Sequence, residues 1–160
     1  MDAAFLADFR QTVDRAAGLL LLISDQDAAV RPAPGKWSPK EIVGHLIDSA
    51  SNNHGRFVRA QLQDELIFEG YDQDAWVQVE AYQDRPWADL VRLWQAFNQH
   101  IAAVMHAAGP QTLTQPRARH NLDQLAWQSV DATQPTTLEY FMKDYVGHLK
   151  HHLRQLLPQE

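Results

Sequence analysis

Ser38-Pro39-Lys40-Glu41-Ile42-Val43-Gly44-His45-Leu46-Ile47-Asp48 reads as the sharp start of a long helix. Ser38 is a good N-cap, Pro39 suits the first helical position, and Glu41 completes a capping box with Ser38. The helix is expected to continue to about Gln63. Counted from His45 at about 100° per residue, Leu46, Ala50, Asn53, Phe57 and Ala60 fall within about 60–140° and make the buried stripe. His45, Asp48, Asn52, Arg56 and Arg59 form a polar line along its edge. So continuous a polar line beside a core lines something: a cleft, a partner or a polar network. The alternative is an exposed face carrying spaced ion pairs such as Asp48–Arg56.

Three more stretches carry helical periodicity, separated by segments rich in Pro, Gly and Asp. The first runs from about Ala3 to Ser24, with Phe5, Phe9, Val13, Ala16, Leu20 and Ile23 inward. Residues 25–37, with Pro32, Pro34 and Gly35, read as a loop. A third helix is expected from about Pro86 to Ala108, with Leu90, Leu93, Trp94, Phe97, Ile101 and Val104 inward, stopped by Gly109-Pro110. The fourth begins at Thr136 or Thr137, with Thr136 and Glu139 as a second capping box, and ends before Pro158. Two longer connections, about 64–84 and 110–135, carry Tyr71, Trp76, Tyr82 and Trp127, enough aromatic surface to pack on the bundle. The pattern implies one all-α domain over residues 1–160, a four-helix bundle.

Composition removes several functions. Hydrophobic residues make up 45% and charged residues 21%, as in a globular chain. A net charge of −6 disfavours nucleic acid, and Arg117-Ala118-Arg119-His120 is too short a basic run to offset it. The longest apolar run, Leu19 to Ile23, is far too short for a membrane span, and the N-terminus lacks the features of a secretory signal, so a cytoplasmic location is expected. The absence of cysteine excludes disulfides, thiolate metal sites and a cysteine nucleophile. Any metal must therefore be held by nitrogen and oxygen, and eight histidines are a rich supply.

In His148-Leu149-Lys150-His151-His152, two histidines four apart share one helix face, about 40° apart. That spacing can give two imidazoles to one metal, and it also occurs among ordinary surface histidines. Angular position discriminates. Leu138, Met142, Tyr145, Leu149, Leu153 and Leu156 centre at about 100° from His148, while His152 lies at the stripe's edge and His151 at about −60°. His152 is thus the partner of His148, and His151 is a surface residue. His45 is offset from its own core in the same way, which favours the cleft reading. His54, His100, His106 and His120 read as surface or packing residues.

The run Lys36-Trp37-Ser38-Pro39-Lys40-Glu41-Ile42-Val43-Gly44-His45-Leu46-Ile47-Asp48 resembles the helix-two signature of the DinB-like (YfiT-like) superfamily of metalloenzymes, which is distinct from the DNA polymerase sharing that name. The tail His148-Leu149-Lys150-His151-His152-Leu153-Arg154-Gln155 resembles its closing His-x-x-x-His helix. Asn52-Asn53-His54-Gly55-Arg56-Phe57-Val58-Arg59 and Tyr71-Asp72-Gln73-Asp74-Ala75-Trp76-Val77 are similar to a subgroup. The resemblance spans nearly the whole chain. It implies an up-down-down-up bundle with a divalent metal, zinc or nickel foremost and iron or manganese in some relatives, on His45, His148 and His152. Relatives include thiol-dependent S-transferases and an isomerase using a low-molecular-weight thiol; dimers occur among them, so a homodimer stays open.

Three neutral imidazoles leave coordination positions open, as catalytic sites require. The first expectation is a metal-dependent hydrolase, or a transferase moving an external low-molecular-weight thiol, acting on a small-molecule substrate. Asp48 and Asp144, each one turn from a histidine, are candidate orienting groups or proton acceptors, or plain helix-surface carboxylates. Arg56 and Asn52 are candidate substrate-binding residues. The competing readings are a non-catalytic metal-binding or stress-associated interaction protein, and a metal-free bundle with a buried histidine network.

Overall fold

The computed structural model describes residues 1–157. Its helices are α1 (Ala3–Leu20), α2 (Asp25–Ala28), α3 (Pro39–Arg59), α4 (Gln73–Glu80), α5 (Trp87–Ala107), α6 (Pro110–Thr114), α7 (Leu122–Leu125) and α8 (Leu138–Leu156), with a 3-10 turn at Tyr82–Asp84. The four long ones form an all-α four-helix bundle. Ser38 and Glu41 cap α3 reciprocally as expected, with Pro39 in the first turn. Helix α1 ends four residues early, and the segment expected to be pure loop contains α2, capped by Ser24. At α8 the cap is Thr137, whose hydroxyl accepts from Tyr140 N; the Thr136–Glu139 box does not form, and Glu139 pairs with Lys143 instead. Thr136 is occupied in a backbone bridge to Arg117.

Contacts between helices fix their directions. Trp87 Nε1 donates to Leu20 O at 2.8 Å and Arg10 reaches Gln99 at 3.0 Å, so α1 and α5 run antiparallel. Lys40 donates to Gln83 O at one end and His54 meets His100 at the other, so α3 and α5 are parallel. Phe57 packs on Phe141 while His45 meets His148, which makes α3 and α8 antiparallel. Lys150 pairs with Asp8 and Lys143 lies over Phe5, so α1 and α8 are parallel. The result is up-down-down-up.

Phe9, Leu46, Phe57, Trp94, Ile101, Phe141 and Met142 are essentially sealed from solvent in one contiguous cluster. Leu93, expected inward, is 51% exposed, because Leu90, Trp94 and Ile101 fill the α5 face and leave it outside their arc. Helix α3 departs further from a simple amphipath: every residue from Lys40 to Ala50 is buried. The connections wrap it. Buried Lys40 reaches Asp25 Oδ2 at 3.0 Å, and the other oxygen of Asp25 accepts from Trp87 N at 2.7 Å. Buried Arg117, read as part of a basic run, donates to the carbonyls of Ala60, Gln63 and Thr112 and staples the C-terminal end of α3 to the second long connection.

Tyr82 lies against Gly44 so closely that a Cβ there would stand 2.1 Å from Tyr82 Cδ2. Only a glycine lets this ring reach α3. Gly44→Ala is therefore expected to lower the unfolding free energy by about 1–3 kcal/mol through overpacking. Gly18→Ala on the exposed face of α1, where a Cβ meets nothing within 4 Å, is expected to raise it by about 0.5–1 kcal/mol through helix propensity. Urea melts of the two variants check this, and shifts of the same sign would contradict the packing described.

Candidate metal centre

The antiparallel pairing of α3 and α8 brings the first half of one helix to the last turns of the other. His45 Nε2 lies 3.3 Å from His148 Nε2, and His152 Nε2 lies 3.0 Å from the same atom. One donor atom from each of the three residues falls within 4.8 Å of the others. His45 is fully buried, inside the edge position its sequence angle implied, with the Trp37 indole tilted against its ring at 5.1 Å. His148 and His152 are half-buried.

All three side chains are held neutral. Burial, and then His152, pushes His45 down to about 4. Burial together with the neighbouring imidazoles pushes His148 down to about 3. His152 is lowered by burial, with Gln155 opposing. Neutral imidazole is the form that donates a lone pair to a metal. Proton counting points the same way. His45 and His152 both converge on His148 Nε2, which offers either one lone pair or one proton, so it cannot make two good hydrogen bonds at once. One cation satisfies all three nitrogens. Ligation at about 2.05 Å separates two nitrogens by about 3.3 Å in a tetrahedron and about 2.9 Å on an octahedral face. The two separations from His148, 3.0 and 3.3 Å, lie in this range, and all three donor atoms fall within 4.8 Å of one another. The residues present therefore suit a divalent ion without selecting zinc over nickel, iron or manganese.

The surrounding shell differs from expectation. Asp48 does not hydrogen-bond an imidazole; its Oδ1 accepts from Tyr82 OH at 2.6 Å, and its Oδ2 is buried without a partner, as is His45 Nδ1. Nor does Asp48 pair with Arg56, which is two turns, about 12 Å, further along the helix: Tyr82 takes the carboxylate and Arg56 turns to Glu69 O at 2.6 Å. Asp144 accepts from Trp127 N at 2.9 Å and Gln128 N at 2.8 Å, pinning the second connection to α8. Gln155 meets His152 Nδ1 at 3.3 Å, a role its position in the tail motif only hinted at. His151 is half-buried against Trp127 rather than free in solvent, although it stays outside the cluster as its angle required.

Beside the histidines lies a cavity of about 320 Å³. His148, His152 and Asp144 line one part, and Asn53, Arg56 and Tyr71 another. The Asn52 amide turns back onto Asp48 O at 2.9 Å, whereas the neighbouring Asn53 lines the cavity. Of the remaining histidines, His54 and His100 meet at 3.2 Å on the outer α3–α5 surface. His120 is buried, bound to Gln134 O and Leu122 N.

An up-down-down-up bundle closing three neutral imidazoles on one point defines an all-α protein with a metal-ligand centre. Residues 8–156 match the model of the DinB superfamily, and the chain belongs to that superfamily. The structure is also similar to that of YfiT from Bacillus subtilis, "a probable metal-dependent hydrolase with an unusual four-helix bundle topology". The match has a TM-score of 0.72 over 96% of this chain and 85% of that one, at 19% identity, which establishes the shared fold. Comparison with curated proteins gives no match.

Burial raises Asp48 to about 6 against the Tyr82 hydrogen bond, which lowers it. An acid whose pKa is higher folded than unfolded stabilises the fold when protonated, and that contribution is lost as pH rises from about 4 through about 6. In the metal-free protein, Asp48→Asn is expected to be more stable than wild type at pH 8, with the difference shrinking as pH falls below 6. Thermal melts across this range check it; a difference that grows on acidification would contradict the burial of a charged Asp48.

Proposed function

We propose that this protein is a metal-dependent enzyme acting on a small molecule in the cavity beside His148 and His152, with hydrolysis the favoured reaction. The observation that carries the reading is the placement of three neutral imidazoles around one point with open space next to it. A structural site would use a fourth protein ligand and close. A divalent ion held there, zinc or nickel before iron or manganese, supplies Lewis acidity and lowers the pKa of a water or thiol. The description of YfiT as a probable metal-dependent hydrolase agrees with this assignment.

The chain's own residues do the rest. Gln155 accepts from His152 Nδ1, which leaves Nε2 as the donor nitrogen. Asp48 Oδ2 and His45 Nδ1, one turn apart on the same helix, are both buried without a partner, which leaves a carboxylate oxygen close to the metal-ligand cluster. Trp37 fixes the His45 ring from the opposite side. Asp144 lines the cavity with a carboxyl raised by burial, and accepts the proton released from a nucleophile. Phe141 and Tyr145 supply apolar wall beside it.

Thiol transfer is the second reaction the same centre supports. The chain contains no cysteine, so the thiol is external and of low molecular weight. Among the described residues, no helix is long and apolar enough to cross a membrane.

Elemental analysis of tag-free protein is expected to find about one divalent ion per chain in the wild type and less than about a tenth of that in His148→Ala. The loaded wild type is then expected to cleave activated esters or amides without thiol, at a rate lost in His148→Ala. Turnover only in the presence of an added thiol selects the transferase reaction. No metal in either protein after reconstitution would set the enzyme reading aside.

A further inference from the structure

Away from the histidines, the cavity holds a positive charge that nothing nearby neutralises. Arg56 is only 4% exposed. Among the described residues, no carboxylate forms an ion pair with it. Its partners are both neutral: Glu69 O at 2.6 Å and Asn53 Oδ1 at 3.4 Å. Burial works against its charge; Tyr71 favours it, and Arg59, of the same sign, opposes it. Arginine is rarely buried without an anion, because desolvation of the guanidinium then goes uncompensated.

The neighbouring wall adds two hydroxyls. Tyr71 keeps its proton, being pushed up to about 12 by burial, and Ser49 faces the same space, while the Asn53 amide is committed to Ser49 O at 2.9 Å. Asp144, the acidic residue lining this cavity, is already held by two backbone N–H groups and does not pair with Arg56. Holding the Glu69 carbonyl explains one N–H of Arg56. It does not explain a full charge, since a neutral amide would hold that carbonyl equally well.

We infer that Arg56, with Tyr71 and Ser49, binds an oxyanion in the same cavity as the three-histidine cluster, so the ligand is a small molecule with a carboxylate or phosphate at one end and its reacting group at the other. The assignment of the reacting end rests on the proposed metal-dependent function; the anion site itself does not. Arg56 follows His45 by eleven residues, roughly 16 Å of helix axis, a span shortened by the reach of both side chains. The two ends of the ligand are accordingly separated by several bonds.

The test uses zinc-loaded protein and alkylhydroxamates of graded chain length, the hydroxamate binding the metal and the far end carrying a methyl, a carboxylate or a phosphate. At one preferred length, an anionic end is expected to tighten binding about ten-fold or more over methyl. The better of the two anionic ends names the source. Arg56→Gln is expected to reduce that ratio to below about two-fold, and Arg56→Lys to keep part of it. Equal affinity for all three ends at every length would overturn the inference, as would a ratio that survives Arg56→Gln. Should no hydroxamate bind, inorganic phosphate is titrated into metal-free His148→Ala and the Arg56 guanidinium 15N resonance followed. A saturable shift then supports the anion site while the metal reading falls; no shift overturns the anion site.

Discussion

Three imidazoles turned toward one point are a constraint that hydrogen bonding among them cannot fully satisfy. His148 Nε2 lies within 3.3 Å of both other ring nitrogens and has one proton or one lone pair to offer. Much of the bundle can be traced to holding that arrangement. It requires α3 and α8 to run antiparallel with matched ends, and it requires His45 to be driven fully inside. It also depends on a neutral state, which burial enforces by depressing each histidine below its ordinary range.

The burial is achieved unusually. Helix α3 is enclosed on all sides over its first eleven residues from Lys40, although its sequence is far from uniformly apolar. Lys40, Glu41, Asp48 and Ser49 enter the interior with His45, and most find partners in the connections rather than in the other long helices. Tyr82 closes over Gly44, Asp25 ties Lys40 to the start of α5, and Trp127 lies over Gly147 with Asp144 gripping the chain beside it. The long connections thus finish the core and build the wall of the cavity in which any ligand must sit. Differences in these segments, on a shared bundle, are where relatives of this fold can diverge in substrate.

What could be read in advance follows from where the information lies. The cap at Ser38, most of the apolar periods of the four helices and the grouping of His45, His148 and His152 are legible because they depend on local properties of single helices. The shift of the α8 cap from Thr136 to Thr137 has a tertiary cause, the Arg117–Thr136 bridge, which no local pattern reports. Asp48 and Arg56, an ion pair only in the alternative reading of this face, lie eight residues or about 12 Å of helix axis apart and take Tyr82 and the Glu69 carbonyl as partners from elsewhere in the chain. Asn52 and Asn53 differ by one step of helix rotation, enough to bring only the second to the cavity wall. Gly44 is the place where the Tyr82 ring must fit, a requirement set by a residue far along the chain.

The central claim is an open three-imidazole centre, and X-ray absorption of the metal-loaded protein tests it most directly. The account predicts three histidine nitrogens at about 2.0–2.1 Å, with imidazole multiple scattering, and at least one further oxygen that a small thiol or hydroxamate displaces. A coordination sphere complete with protein ligands and indifferent to added chelating molecules, or one lacking three imidazoles, would contradict it.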